Sequence, residues 1–277
     1  MEIQEPVIKH EDILKLEDKD FNDNNVCIIT GAGSGIGRAL AMVTAVNKIT
    51  TVGVDINTVE LNKTKEMVKD LGEELICLEA DLCNDDDLEN VVSQALNFGN
   101  IKYLANIAGI QHIDSISDFP MDKYDLMHRI MLRAPFYLAH LVIPHFKNNG
   151  GGVIGNMASI HAHICTIRKP VYNIMKFGLR GLTQSIAAEG EGRIRSFSVS
   201  TGFVKTNLAL KQIPAQAKQR GITPEEVVNK IMMGKSRIKE MMSPVEVANI
   251  FIMGFSKFSN YLNGSDLLFD GGMVLTY

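Results

Sequence analysis

The sequence predicts an α/β fold in which helices cover both faces of a doubly wound parallel sheet. Short apolar runs alternate with helix-length segments along the chain, and no internal repeat interrupts this alternation. Successive strands that are separated by helices are joined by crossover connections, which make the strands parallel and bury them between two helical layers.

Each predicted element has its own local signal. Residues 26–30, 51–55, 75–80, 103–107, 152–157 and 194–199 are the apolar runs that we predict to be strands. A long helix is predicted from about Met121, with Pro144 near its end. Pro170 is expected to begin the next helix because its fixed φ suits a first helical turn. Thr223 and Ser243 each precede a glutamate by three residues, a capping-box pattern that predicts two further helix starts.

The chain is predicted to be one domain with an extension and a lid. Residues 1–24 are acidic and become Asn-rich, with a weak apolar pattern at Ile13, Leu14 and Leu16, so we expect an extension before the first core strand. Residues 25–277 then form a single dinucleotide-binding and catalytic domain. Its segment at about 206–235 is amphipathic and too long for a plain connection, which predicts a helical substrate lid.

Composition narrows the function classes. The chain has 277 residues, is 45% hydrophobic and carries a formal net charge of -4, which favours a globular protein and gives no electrostatic basis for binding nucleic acid. No segment has the apolar length of a membrane span, and the charged N-terminus resembles no secretory signal. Four cysteines without CxxC spacing predict reduced thiols, no metal site and a cytoplasmic location.

A glycine-rich segment, Thr30-Gly-Ala-Gly-Ser-Gly-Ile-Gly37, follows the first predicted strand and opens a helical run. Its glycines allow a tight turn and a close approach of the backbone to a pyrophosphate, and the helix N-terminus offers free N–H groups to the phosphates. This strand–loop–helix context predicts a Rossmann-type dinucleotide site.

Four further residues bear on the nucleotide site. Asp55 ends the second predicted strand, where a carboxylate accepts hydrogen bonds from the adenosine ribose and repels a 2′-phosphate, so NAD is favoured over NADP. Arg38 is expected to face solvent or a phosphate. Asp81, with Leu82, follows the third strand and is interpreted as holding the adenine edge, as an N-cap of the next helix, or as both.

Tyr172 and Lys176 are four residues apart in the helix that begins near Pro170, so both side chains lie on one helical face. A nearby cation favours the phenolate, and we expect Lys176 to lower the tyrosine pKa so that Tyr172 exchanges a proton with an alcohol. Ser159 follows an apolar strand and adds a hydroxyl that can hold a carbonyl oxygen.

Together, TGxxxGIG, Asp55, the Asn106-Ile-Ala-Gly109 element, Ser159, Tyr172 and Lys176 resemble the short-chain dehydrogenase/reductase family from about Val26 to the C-terminus. The resemblance implies that Tyr172 is the general acid/base, that Ser159 orients the substrate oxygen and that Lys176 binds the nicotinamide ribose. The expected cofactor-binding residues are Thr30, Gly31, Gly33, Ser34, Gly35, Ile36, Gly37, Asp55, Asp81, Leu82, Asn106, Ala108, Gly109, Tyr172, Lys176, Gly202, Val204 and Thr206.

Two positions depart from the family pattern. Met131 stands where the family usually has an asparagine that completes a water-mediated proton relay, and Thr201-Gly202 replaces the usual Pro-Gly. A methionine side chain cannot donate a hydrogen bond and is a poor acceptor. We therefore expect Met131 to impair the proton relay more than it impairs the hydride transfer. A weakly active nucleotide-binding protein is therefore one alternative.

The lid and four polar residues resemble the bacterial D-3-hydroxybutyrate dehydrogenase branch of the family. That branch implies a carboxylate site formed here by Gln111, His161, Lys169 and Gln212, beside the reacting group of Ser159 and Tyr172. A lysine ammonium and polar donors suit a small hydroxy acid of ketone body metabolism. Another small alcohol or polyol remains the competing substrate class.

The family resemblance also implies a homotetramer. We expect it to pack through the helices around 121–147 and 170–190 and through a C-terminal strand near 267–269, with residues 273–277 reaching a neighbouring subunit.

Overall fold

Seven parallel strands form one sheet in the computed structural model, which describes residues 5–275. The strand order is β3-β2-β1-β4-β5-β6-β7. The strands are β1 (Asn25–Thr30), β2 (Thr50–Asp55), β3 (Ile76–Glu79), β4 (Asn100–Asn106), β5 (Gly152–Met157), β6 (Ile194–Thr201) and β7 (Ser265–Phe269). The predicted doubly wound parallel sheet is confirmed. The largest shift at a strand start is that of β4, which begins three residues earlier than its apolar run.

Helices connect the strands in the predicted alternation. They are α1 (Gly35–Val46), α2 (Thr58–Asp70), α3 (Asp85–Ala95), α4 (Met121–His128), α5 (Ala134–Asn148), α6 (Pro170–Glu189), α7 (Asn207–Leu210), α8 (Gln212–Arg220), α9 (Pro224–Glu226) and α10 (Pro244–Phe255). A π-helical segment, Arg129–Arg133, joins α4 to α5, so the predicted long helix runs to Asn148. Pro170 begins α6, and both predicted capping boxes form.

The two faces of the sheet are covered by different helices. Side chains of α1, α2 and α10 build one apolar cluster, and side chains of α3, α5 and the end of α6 build the other. Alternate residues of β1 enter opposite clusters, since Cys27 and Ile29 belong to the first and Val26 and Ile28 to the second. Both faces of the central strand β1 are thus buried from solvent, which agrees with its continuous run of apolar residues.

The extension packs against α1 and α10. Ile13 and Phe21 are buried in the first cluster. The Asn47 side chain accepts a hydrogen bond from the Leu16 N–H at 2.9 Å, and Asn249 accepts one from the Leu14 N–H at 3.0 Å. Residues 1–4 of the extension lie outside the described residues, as do residues 276–277 of the segment expected to reach a neighbour.

All four cysteines are unpaired, and burial raises the pKa of the Cys27 thiol. In the part of the chain that the structure describes, no helix combines the length and apolar character needed to cross a bilayer.

A buried chain of polar side chains ties β4, β5 and α6 together. Asn106 Nδ2 donates to Asn156 Oδ1 at 2.8 Å, and Asn156 Nδ2 donates to Thr183 Oγ1 at 2.9 Å. All three side chains are buried, so each bond forms in a medium where an unpaired amide is costly. This row of hydrogen bonds fixes where α6 lies along the sheet.

A buried arginine anchors the segment that follows α10. The Arg195 guanidinium, on β6, is 8% exposed. It donates to the carbonyl oxygens of Gly254, Phe255, Ser256, Ser259 and Leu262. These carbonyls end α10 and shape the turn before β7, so one charged group satisfies several acceptors that have no helical partner.

Arg195→Ala is expected to lower the free energy of unfolding by about 2–4 kcal/mol, because it leaves buried carbonyl oxygens without donors. Urea denaturation followed by circular dichroism measures the loss. Arg193→Ala is the matched control, since the Arg193 side chain is 65% exposed and contacts only Glu191. Equal midpoints for the two variants would contradict the anchoring role.

Candidate functional site

A cleft of about 490 Å³ opens at the carboxyl edge of the sheet, above β1, β4, β5 and β6. Loops after parallel strands meet at this edge, which is where ligands bind in open α/β sheets. Of the predicted site residues, those that line the cleft are Gly31, Ser34, Gly35, Ile36, Gly37, Asp55, Asp81, Leu82, Ala108, Gly109, Gln111, Ser159, His161, Lys169, Tyr172, Lys176, Gly202, Val204, Thr206 and Gln212.

Three predicted cofactor residues lie behind the lining. Thr30 Oγ1 accepts from the N–H groups of Ile107 and Ala108 at 3.0 and 3.2 Å, which ties the end of β1 to the loop after β4. Asn106 takes part in the buried row of side-chain hydrogen bonds that leads through Asn156 to α6. Gly33 donates its N–H to Asp55 Oδ2 at 2.9 Å. The hydrogen bonds of these three residues stabilise the loops that carry the lining residues.

The glycine loop has the close packing that a dinucleotide cradle requires. Gly31 has a φ of +71°, and a Cβ added there would lie 2.9 Å from the Cα of Ala108. A Cβ at Gly37 would lie 2.1 Å from the carbonyl oxygen of Gly31. Any side chain at either position would collide with neighbouring backbone, so the packing of this loop requires both glycines, as the predicted dinucleotide site does.

Asp55 is held at the rim by two backbone bonds. Its Oδ2 accepts from Gly33, and its Oδ1 accepts from the Asn57 N–H at 2.9 Å. The carboxylate therefore stabilises the turn after β2 and also lines the cleft, and its predicted contact with the adenosine ribose stays a prediction.

Arg38 points away from the cleft. Its Nη2 donates to the Gly33 carbonyl and to Glu60 Oε2 (2.7 Å), its Nε donates to Thr64 Oγ1 at 3.0 Å, and its side chain is 13% exposed. The expectation that Arg38 faces solvent or a phosphate is wrong, because the guanidinium bonds to the glycine loop and to Glu60 and Thr64 on α2. Arg38 is thereby paired with Glu60 and not with Asp55 at the rim.

Asp81 lines the cleft but does not cap the next helix. Its Oδ1 accepts from the Cys83 N–H at 2.8 Å, whereas Asn84 is the N-cap of α3 and accepts from the Asp86 N–H. The N-cap interpretation of Asp81 is therefore wrong, and its interpretation as an adenine contact stays a prediction.

The extension contributes a carboxylate that the sequence analysis missed. Glu5 Oε1 accepts from the Asn207 N–H at 2.8 Å, and Glu5 Oε2 accepts from the Gly35 N–H at 3.4 Å. The Arg38 guanidinium lies 3.7 Å from the same carboxylate. Glu5 thus joins the first residue of α1 to the first residue of α7, at the helix terminus where the loop would receive an anionic phosphate.

Ser159, Tyr172 and Lys176 meet at the inner end of the cleft. Lys176 Nζ donates to the Met157 carbonyl oxygen at 2.6 Å and lies 5.4 Å from the centre of the Tyr172 ring. Burial lowers the pKa of Lys176 to about 8. Burial also raises the pKa of Tyr172 to about 12, although a hydrogen bond with Ser159 opposes this rise. The expectation of a lowered tyrosine pKa is wrong for this structure, because desolvation of the phenol dominates.

The four predicted carboxylate contacts gather beside this corner. Gln212 Nε2, on the lid, donates to Gln111 Oε1 at 2.9 Å, and the buried Gln212 Oε1 has no partner among the side chains that the structure describes. The Lys169 ammonium makes no ion pair or hydrogen bond among those side chains, and burial lowers its pKa. Burial lowers the pKa of His161, and the charges of Lys169 and Lys176 add to this effect, which places Lys169 near the histidine.

Met131 lies at the position of the missing relay asparagine, inside the π-helical segment. A Cβ added at Gly109 would lie 3.5 Å from Met131 Sδ and 3.9 Å from Lys176 Nζ, so the thioether and the ammonium border the same gap. A thioether is a weak acceptor and no donor. The side chain is fully buried and belongs to an apolar cluster with Met127, Val171 and Met175.

Comparison with known proteins agrees with this geometry. A family profile described as Enoyl-(Acyl carrier protein) reductase matches residues 31–274. D-beta-hydroxybutyrate dehydrogenase of Rhizobium meliloti (strain 1021) is 30% identical over 249 residues, which are 88% of this chain and 96% of that protein. The protein of the same name from Cupriavidus necator (strain H16) is 27% identical over 254 residues, covering 91% of this chain and 98% of that one.

Among solved structures, L-sorbose reductase from Gluconobacter frateurii, complexed with NADPH and L-sorbose, superposes with a TM-score of 0.86. It is 27% identical and covers 93% of this chain and 100% of its own. Fold and site define an oxidoreductase that uses a nicotinamide cofactor on an α/β sheet. The chain belongs to the short-chain dehydrogenase/reductase family.

Glu5→Gln is expected to tighten NADH binding roughly threefold to tenfold, because it removes a negative charge from the α1 N-terminus. Titration of NADH fluorescence at low salt measures the dissociation constant. Glu11→Gln is the control, since the Glu11 side chain is 76% exposed on the same extension. A dissociation constant that is unchanged or larger for the Glu5 variant alone would contradict competition at this terminus.

Proposed function

We propose that this protein transfers a hydride between NAD(H) and a small 3-hydroxy or 3-keto acid, with D-3-hydroxybutyrate and acetoacetate as the preferred pair. The observation that carries the substrate class is Lys169, a partly buried cation without an ion pair among residues 5–275, set in the cleft beside Ser159 and Tyr172. A cation in such a position is most simply neutralised by an anionic substrate.

The polar groups around Lys169 suit one carboxylate. Gln111 and Gln212 meet across the cleft, and the unpartnered Gln212 oxygen shows that the pair has hydrogen-bonding capacity left. Gln212 comes from the lid, so closure of α7 and α8 over the cleft would bring this amide to the substrate and exclude water. His161 also lines this part of the cleft, but its ring nitrogens contact Ser159 and Thr166, so its predicted role as a direct carboxylate contact is not part of this proposal. Relatives named for D-beta-hydroxybutyrate support the same substrate.

The reacting corner provides the proton chemistry. The bound nicotinamide would supply or accept the hydride. Tyr172 donates its phenolic proton to the substrate carbonyl oxygen in reduction and takes a proton from the alcohol in oxidation. Ser159 donates a hydrogen bond to the same oxygen, and Lys176 would hold the nicotinamide ribose. A tyrosine with a raised pKa is protonated at neutral pH and so carries the proton that reduction requires.

NAD is the proposed cofactor because of the charge at the adenosine end of the cleft. Asp55 faces the cleft, and Glu60 lies beside it with its charge matched by Arg38. A 2′-phosphate would meet the Asp55 carboxylate without a free cation from Arg38 to offset it. The sorbose reductase neighbour carries NADPH, so NADP is the alternative that the assay must separate.

Two other functions have specific support. The likeness to sorbose reductase favours a dehydrogenase of another small alcohol or polyol. Met131 favours a weakly active nucleotide-binding protein, since the relay position lacks a donor. A preference for carboxylate substrates argues against the first, and turnover that requires Tyr172 argues against the second.

Assembly and location are part of the same proposal. Phe136 on α5 and Ile174 and Phe177 on α6 are exposed apolar side chains, at 61%, 52% and 42%, on the helices expected to pack in a homotetramer. Sedimentation equilibrium would measure the oligomeric state. Four unpaired cysteines support a cytoplasmic location, and the formal charge of -4 supports a small-molecule partner over nucleic acid.

The purified chain is expected to oxidise D-3-hydroxybutyrate with NAD and to reduce acetoacetate with NADH, with loss of both activities in Tyr172→Phe. Lys169→Met is expected to raise the KM for acetoacetate at least about tenfold, because the substrate carboxylate loses its counter-charge. The same variant should reduce butan-2-one, which lacks the carboxylate, at the wild-type rate.

Lys147→Met is the control for charge removal, since Lys147 is exposed on α5. Faster turnover with NADP or with the L-isomer would overturn the corresponding part of the proposal. An unchanged KM for acetoacetate in Lys169→Met would remove the assignment of the carboxylate site.

The rate of reduction is expected to fall as the pH rises through about 8, where buried Lys176 loses its charge. The sign follows from the lowered pKa, because the ammonium is present below that pH and lost above it. A single ionisation predicts roughly a tenfold loss of kcat/KM between pH 7 and pH 9. The pH profile with NADH and acetoacetate measures this, and a profile that stays flat to pH 10 would contradict it.

A further inference from the structure

A row of hydrogen bonds leads from Ser159 to the protein surface. Ser159 Oγ lies 3.1 Å from His161 Nδ1, and His161 Nε2 lies 2.8 Å from Thr166 Oγ1. Asn173 Nδ2, on α6, donates to the Thr166 carbonyl oxygen at 3.2 Å and holds this turn against the helix. Both ring nitrogens of His161 therefore have a protein partner, and Thr166 has no part in the family motif.

The His161 ring is held rigidly and is neutral. It is 6% exposed and packs edge-on against the Tyr172 ring, with 5.4 Å between the ring centres. Burial, followed by the charges of Lys169 and Lys176, lowers the pKa of His161 to about 4. At neutral pH the ring therefore carries one N–H donor and one lone-pair acceptor, and the two tautomers have different consequences for Ser159.

The hydroxyl of Ser159 has one hydrogen and two lone pairs. The His161 backbone N–H donates to Ser159 Oγ at 3.2 Å and occupies one lone pair. If His161 Nδ1 carries the ring proton, it occupies the second lone pair, and the hydroxyl hydrogen is left for a substrate oxygen. If Nδ1 is bare, it accepts that hydrogen, and Ser159 has no donor to offer.

We propose that Thr166 is a positioning residue whose hydroxyl donates to His161 Nε2, holds the ring in its Nδ1–H tautomer and thereby keeps Ser159 a donor to the substrate oxygen. The inference rests on the proposed roles of Ser159 and Tyr172 and is independent of which alcohol or ketone is the substrate. Thr166 touches no substrate in this scheme, since it acts through His161.

The tautomer can be measured without any turnover. Long-range proton–nitrogen correlation spectra of the full chain, labelled with ¹⁵N-histidine at pH 7, distinguish Nδ1–H from Nε2–H, and His161→Gln assigns the signal. We expect Nδ1–H for His161 in the wild type and in Thr166→Ser, and a shift toward Nε2–H in Thr166→Val. Nε2–H in the wild type, or no change in Thr166→Val, would overturn the proposal.

Kinetics provide the second test. Thr166→Val is expected to lower kcat roughly tenfold to a hundredfold, at most the lower end of the loss that follows removal of a donor to a reacting oxygen, with the dissociation constant for NADH unchanged. Thr166→Ser should restore kcat, and Ile167→Val is the neighbouring control because Ile167 is 90% exposed.

In a Ser159→Ala background, Thr166→Val should cause no further loss, because its effect passes through the serine hydroxyl. An equal loss in that background, or no rescue by serine, would assign Thr166 a merely structural role. If the wild type turned over no tested substrate, the proposed function would fail while the histidine spectra would still decide the role of Thr166.

Discussion

The position of α6 on the sheet depends on a short chain of buried side-chain hydrogen bonds. Asn106 and Asn156 lie opposite each other on β4 and β5, and Asn156 extends the chain to Thr183 on α6. Loss of one amide would leave its partners buried and unpaired, at a cost of about 1–3 kcal/mol. Tyr172 and Lys176 lie on the same helix, so this chain sets where the phenol and the ammonium meet the loop after β5.

Charge is separated along the cleft. Asp55 lines one part of the cleft, where Arg38 is paired with Glu60, whereas Lys169 and Lys176 line the part that holds Ser159 and Tyr172. Burial lowers the pKa of both lysines, which shows that the reacting end disfavours an unpaired charge. An anion bound beside these lysines would be attracted more strongly than in water, because the surrounding dielectric constant is low. The proposed substrate preference and the proposed proton chemistry thus depend on neighbouring residues.

The sequence predicted those features of the fold and site that depend on residues close together in the chain. The glycine loop and the Tyr172–Lys176 pair each depend on spacings of a few residues, and both lie in the cleft. The direction of Arg38 depends on Glu60, twenty-two residues away, and the raised pKa of Tyr172 depends on burial, which no spacing encodes. Glu5 gave no signal either, since its contacts join the extension to a loop and a lid that are distant in sequence.

The central claim is that a partly buried cation in this cleft, Lys169, selects a carboxylate substrate. The most direct measurement is the ratio of kcat/KM for D-3-hydroxybutyrate to that for its methyl ester, with NAD at saturation. The two molecules share the reacting carbon and its configuration and differ in the charge that Lys169 would bind. The account predicts a ratio of roughly a hundred or more, from about 3 kcal/mol of charge pairing. A ratio near one would contradict it.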